Sequence, residues 1–210
     1  MLLEKAFQLF DKGGPVMYPL ALCSIIVVSV AIEKFLCFRA GSTNLNQLLP
    51  QLEQYLGKGN INEAITLCSK TKGFAAQMLT NSLRQNNTKG LNILAALDVN
   101  ARNICNLLRS RTGYLDTIIT LAPLLGLLGT ITGMIQAFSI LNLKAGQPLA
   151  ITGGIGEALI ATASGLCIAI IALIVHSYFN QKTEQIISEL EQATDIALYL
   201  TEPTGGKNAL

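Results

Sequence analysis

Three stretches of this sequence contain no Asp, Glu, Lys or Arg: residues 13–32 (20 residues), 117–143 (27) and 158–181 (24). At about 1.5 Å of rise per helical residue, each is long enough to cross a hydrocarbon core about 30 Å thick. Across such a core only an internally hydrogen-bonded segment is stable. The runs therefore predict an all-α polytopic membrane protein with three transmembrane helices. Charged residues make up 13% of the 210, against about 25% in soluble domains, which excludes a simple soluble enzyme. Net charge is +2, so no basic field argues for nucleic acid. The five cysteines (Cys23, Cys37, Cys68, Cys105, Cys167) form no CxxC pair. They read as reduced thiols, and no metal, disulfide framework or cofactor is expected. The first run exceeds the apolar core of a signal peptide and reads as a retained anchor.

Ten of the fifteen basic residues lie in residues 33–116. Lys34, Arg39, Arg102, Arg109 and Arg111 sit near span ends on that side. Basic residues close to span ends face the cytoplasm. The expected organisation is an external N-terminal segment (1–15), a first span (16–38), a cytoplasmic helical region (39–115) and a second span (116–142). An external turn (143–152), a third span (153–179) and a cytoplasmic C-terminal helix and tail (180–210) follow. The N-terminus is then outside and the C-terminus cytoplasmic.

The cytoplasmic parts carry apolar stripes at helical spacing. Leu45, Leu48, Leu49, Leu52 and Leu56 form one, ended by Gly57 and Gly59. Ile61, Ala64, Ile65 and Cys68 form a second, and Phe74, Met78, Leu79 and Leu83 a third, before a polar break from Gln85 to Gly90. Leu94, Leu97, Ala101, Ile104 and Leu108 predict one long helix running on into the second span, weakened only at Gly113. Ile186, Leu190, Ala193, Ala197 and Leu200 extend the third span inward, up to Pro203-Thr204-Gly205-Gly206. Two of the three spans thus extend into a cytoplasmic helical bundle. The stripes pack either against neighbouring copies or within one subunit.

In the second span, Ala122, Gly126, Gly129, Thr130, Gly133 and Ala137 share one helical face, where another backbone can approach closely in lipid. Each glycine alone is explained by helix packing, and Thr130 by a hydroxyl bonded one turn back. Pro123 is expected to kink this span. In the third span, Glu157 precedes the 24-residue uncharged run. A carboxylate there is costly unless it faces protein or water. The plainer alternative is a glutamate at the outer interface. Ala161 and Ser164 continue its face. Thr162 lies about 140° away on an ideal helix and should meet a neighbouring helix.

The segments APLLGLLGTITGMIQAF and GGIGEALIATASGL, with GGPVMYPLALCSIIVVSVAIEKF upstream, resemble the ExbB/TolQ/MotA family of proton-channel subunits, on the ExbB side. By that resemblance Glu157, Thr130 and Thr162 match the family's polar pore positions. Ser164, Ala161, Gly126, Gly129 and Gly133 line the pore or pack helices. The resemblance implies a homopentamer in the cell inner membrane, surrounding a dimer of a single-span ExbD/TolR-type partner. Proton flow would energise work on the envelope, in some systems through a TonB-type protein.

Other classes fit less well. There is no GxxxxGK[ST] loop and no HExxH. Ser164 and His176 lie twelve residues apart, roughly 18 Å along one helix, too far for a catalytic hydrogen bond. An enzyme is therefore not expected. No inverted repeat argues for a solute transporter. A passive scaffold explains the glycines and leaves Glu157 unexplained. A TolQ-like envelope-maintenance or gliding-type motor stays open.

Overall fold

The computed structural model describes residues 10, 13–41, 43, 45–89, 92–143 and 148–201. Most of the expected N-terminal segment, residues 144–147 of the expected turn, and the tail from 202 lie outside the described residues. Those described form seven helices and no strand: α1 (Met17–Gly41), α2 (Leu45–Gly57), α3 (Ile61–Lys70), α4 (Phe74–Lys89), α5 (Ile93–Arg109), α6 (Thr112–Leu143) and α7 (Pro148–Thr201). Three helical stretches, Met17–Arg39, Ile93–Ser139 and Gly153–Leu200, are long and apolar enough to cross a membrane. The protein is an all-α polytopic membrane protein, as the uncharged runs predict.

The chain forms two units. The first draws on Met1–Ile32 and Arg111–Tyr178, the second on Glu33–Ser110 and Phe179–Leu210. In the second unit the leucine stripes turn inward around one core. Leu48, Leu52 and Leu56 of α2, Cys68 of α3, Met78, Leu79 and Leu83 of α4, and Leu97 and Leu108 of α5 are all buried. The C-terminal half of α7 joins them through Ile186, Leu190, Ala193 and Ala197, so that stripe packs within the subunit. Burial pushes the Cys68 thiol up to about 11, which keeps it protonated and inert.

Polar groups fix the helix ends and pairings of this unit. The Thr43 hydroxyl accepts from the Ala75 amide at 3.2 Å, and the Asn92 side chain from the Leu94 amide at 3.0 Å, satisfying amides at the starts of α4 and α5. Asn100 donates to the Ser82 hydroxyl (3.1 Å) and to the Ala96 carbonyl (2.8 Å), tying α4 to α5. Phe38 and Phe179 stack with centroids 5.5 Å apart.

One expectation is overturned here. The helix leading to the second span is not continuous: α5 ends at Arg109, and Arg111 adopts a left-handed backbone with φ 64°. Lys34 of α1 supplies the physical reason. Its buried ammonium donates to the Leu108 carbonyl at 2.7 Å and the Leu107 carbonyl at 3.3 Å. Those are terminal carbonyls of α5, where positive charge is favoured. The lysine ends the helix from another element, a device that no local pattern around Gly113 announces.

Candidate functional site

In the first unit small residues do what leucines do in the second. Ala122, Gly126, Gly129, Gly133 and Ala137 recur every three or four residues on α6 and are buried, as are Ala158, Ala161, Gly165 and Ala169 on α7. The two helices meet along these rows. A Cβ on Gly126 would stand 3.1 Å from the Thr162 Cα, and one on Gly129 would stand 2.5 Å from the Ala161 Cβ. On Gly133 it would stand 2.9 Å from the Ala158 Cβ, and on Gly165 2.5 Å from the Ala122 carbonyl oxygen. Any side chain at these positions would force the backbones apart. The small face of the second span is thus occupied by the third span of the same subunit.

The hydroxyls settle on backbone carbonyls. Thr162 donates across the seam to the Gly126 carbonyl at 3.0 Å and along its own helix to Ala158 at 3.3 Å. The neighbouring helix expected from its angle is therefore α6. Thr130 donates to the Leu127 carbonyl at 2.6 Å, one turn back on its own helix. Both bonds satisfy a hydroxyl without water, as an apolar surrounding demands. Ser164 is half-buried on α7. Ala161 sits against Gly129, so it belongs to the seam.

Glu157 differs from all of these. It is half-buried on α7, and among the described residues its carboxylate has no hydrogen-bond or ion-pair partner. It lies instead against the backbone of Gly14, in the turn that precedes α1. The structure does not bring Thr130, Thr162 and Glu157 into mutual hydrogen bonds. The sequence reading assigned residues 1–15 to an external segment and missed this neighbour. The Gly13-Gly14-Pro15 run was the available signal, since paired glycines before a proline mark a tight turn.

One carboxylate stands at the head of the 24-residue uncharged run of α7, whose partner helix is packed through glycines, and comparison with known proteins places that pattern. Residues 70–192 match the model of the MotA/TolQ/ExbB proton channel family. The chain belongs to this family. It is similar to the biopolymer transport protein ExbB-like 1 of Synechocystis sp., 35% identical over 79% of this chain and 67% of the relative. It is also similar to the ExbB homolog of Methanothermobacter thermautotrophicus, 29% identical over 88% of this chain and 66% of the relative. With the biopolymer transport protein ExbB of Pseudomonas putida it shares 28% identity over 88% of this chain and 58% of that protein. The chain spans about two thirds or less of the length of these curated relatives. The family match includes α6 and the part of α7 that carries Glu157.

Proposed function

We propose that the protein is the pore-forming subunit of a proton-motive-force-driven motor of the ExbB–ExbD type, energising transport or other work across the cell envelope. The observation that carries this reading is Glu157: a carboxylate at the head of a 24-residue uncharged apolar run, with no hydrogen-bond or ion-pair partner among the described residues. An ionisable group so placed is retained for function more often than for stability. The α6–α7 seam supplies a rigid support for it.

In this reading the chain is a multi-pass protein of the inner membrane, with the N-terminus outside and the C-terminus cytoplasmic. It forms a homopentamer, and a single-span ExbD/TolR-type dimer stands inside the ring. Because α6 and α7 use their small faces on each other, the ring contacts fall to other faces. Exposed Leu124, Ile131, Ile135 and Phe138 on α6 are available for lipid and for neighbouring copies. A carboxyl on the partner helix would exchange protons with each Glu157 in turn. One odd dimer cannot satisfy five subunits alike, so successive protonation favours stepwise rotation. The chain's role is conduction and mechanical coupling rather than bond-breaking catalysis.

The test is Glu157→Gln, which keeps size and shape. Expected is a protein that assembles and binds its partner normally while proton flux and envelope function are lost. Wild-type flux from this variant would leave a passive scaffold as the better reading.

A further inference from the structure

We propose that Gly14 is a positioning residue for Glu157: its left-handed turn at the head of α1 closes over the carboxylate and fixes where it stands. This rests on the reading of Glu157 as the proton-relay carboxylate. Gly14 has φ +71°, a backbone region that L side chains rarely adopt. A Cβ there would fall on the Glu157 Oε1, with the carboxyl carbon 2.9 Å away and Cγ 3.4 Å away. The space a side chain would fill is the space the carboxylate uses.

The turn itself is held on several sides. The Gly14 carbonyl accepts from the Met17 amide at 3.1 Å, and the Gly13 amide donates to Phe10 at 3.2 Å. Pro15 fixes its own φ. Phe10 and Tyr18 meet edge to face with centroids 5.3 Å apart. A Cβ on Gly13 would lie 3.4 Å from Ile160 of α7, and one on Gly129 would lie 3.7 Å from Val16. The turn therefore rests on both helices of the seam. Among the described residues Glu157 is held by packing and not by a hydrogen bond or ion pair, which leaves its oxygens available to exchange a proton while their direction is restricted.

The test compares Gly14→Ala with wild type in membranes, reading modification of Glu157 by dicyclohexylcarbodiimide, at one pH, by mass spectrometry. A methyl at Gly14 lifts the turn or swings the carboxylate out, and both uncover it. Labelling should quicken by about five- to thirty-fold, the factor that corresponds to placing an L side chain in the left-handed region. Gly59→Ala is the control: it imposes the same strain at φ +75° with nothing within 4 Å, and should leave labelling unchanged. Combining Gly14→Ala with Glu157→Asp should lose less flux than the product of the two single losses, because the shorter side chain vacates the contested space.

Unchanged labelling in a Gly14→Ala protein present at normal level would overturn the proposal. So would losses of flux that simply multiply in the double variant. If Gly14→Ala does not accumulate, its recovery by Glu157→Asp supports the contact, and no recovery makes Gly14 a folding residue only. Labelling reports where the carboxylate stands whether or not protons pass. A failure here is therefore distinct from wild-type flux in Glu157→Gln.

Discussion

The two units of this chain are built from the same kind of helix with opposite side-chain logic. In the unit containing α2–α5, large residues point inward: Leu52, Leu79, Leu83 and Leu97 are buried. Along the α6–α7 seam of the other unit, alanine and glycine are inside. Leu124, Leu127, Ile135, Leu159 and Ile174 are outside. Water accounts for the first arrangement, since withdrawing each leucine from it stabilises the fold by about 1.5–3 kcal/mol. Lipid accounts for the second. Its tails are as apolar as leucine, so burying leucine gains little, and close backbone packing with hydroxyl–carbonyl bonds takes over. The leucine stripes of one unit and the α6–α7 seam of the other are thus packed by opposite means, although the membrane unit also buries Leu20 of α1 and Leu115 of α6.

The comparison is most sharply tested by truncating leucines. Leu97 is 0% exposed and Leu127 is 54% exposed. Leu97→Ala should cost about 2–5 kcal/mol, whereas Leu127→Ala should stay within about 0.5 kcal/mol. Thermal unfolding of the detergent-purified protein measures both. A large loss at Leu127 would place it beneath another copy and break the rule that exposed leucines in that unit face lipid.

The converse substitution should hurt the other unit. Gly133→Leu drives a side chain into Ala158 and the Gly154 carbonyl, an overpacking that costs about 1–3 kcal/mol. Gly57→Leu, at a position with nothing within 4 Å, should shift stability by no more than about 0.5 kcal/mol. Protease resistance of the α6–α7 region in membranes distinguishes them. Equal resistance of both variants would mean that the seam is loose.

The smallest effect sharpens the comparison within the membrane unit itself. Thr162→Val removes a hydroxyl bond to Gly126 across two helices, while Thr130→Val removes only a bond along one helix. The first should weaken the seam by about 0.6 kcal/mol and the second should leave it unchanged. Proton flux on the same preparations separates a pore role from a packing role. Equal destabilisation by both would show that the cross-helix bond contributes nothing special.

The number and nature of the elements were legible in the order of residues. Uncharged runs longer than a bilayer core have few alternatives to helix, and stripes at Leu45–Leu56 and Ile186–Ala197 declare a face to be buried whatever covers it. Glu157 was legible for the same reason, since a charge among apolar neighbours stands out in one dimension. What covers each face was decided only in three dimensions. Whether the alanine–glycine face of α6 met another copy or α7, and whether the α7 tail packed within the subunit, depended on residues far apart in the chain. So did the end of α5, which is set by Lys34 from more than seventy positions away. The Gly14 turn beside Glu157 is the extreme case. Neither residue's local pattern names the other, because a contact across 143 positions leaves no periodic trace and arises only when the helices close upon each other.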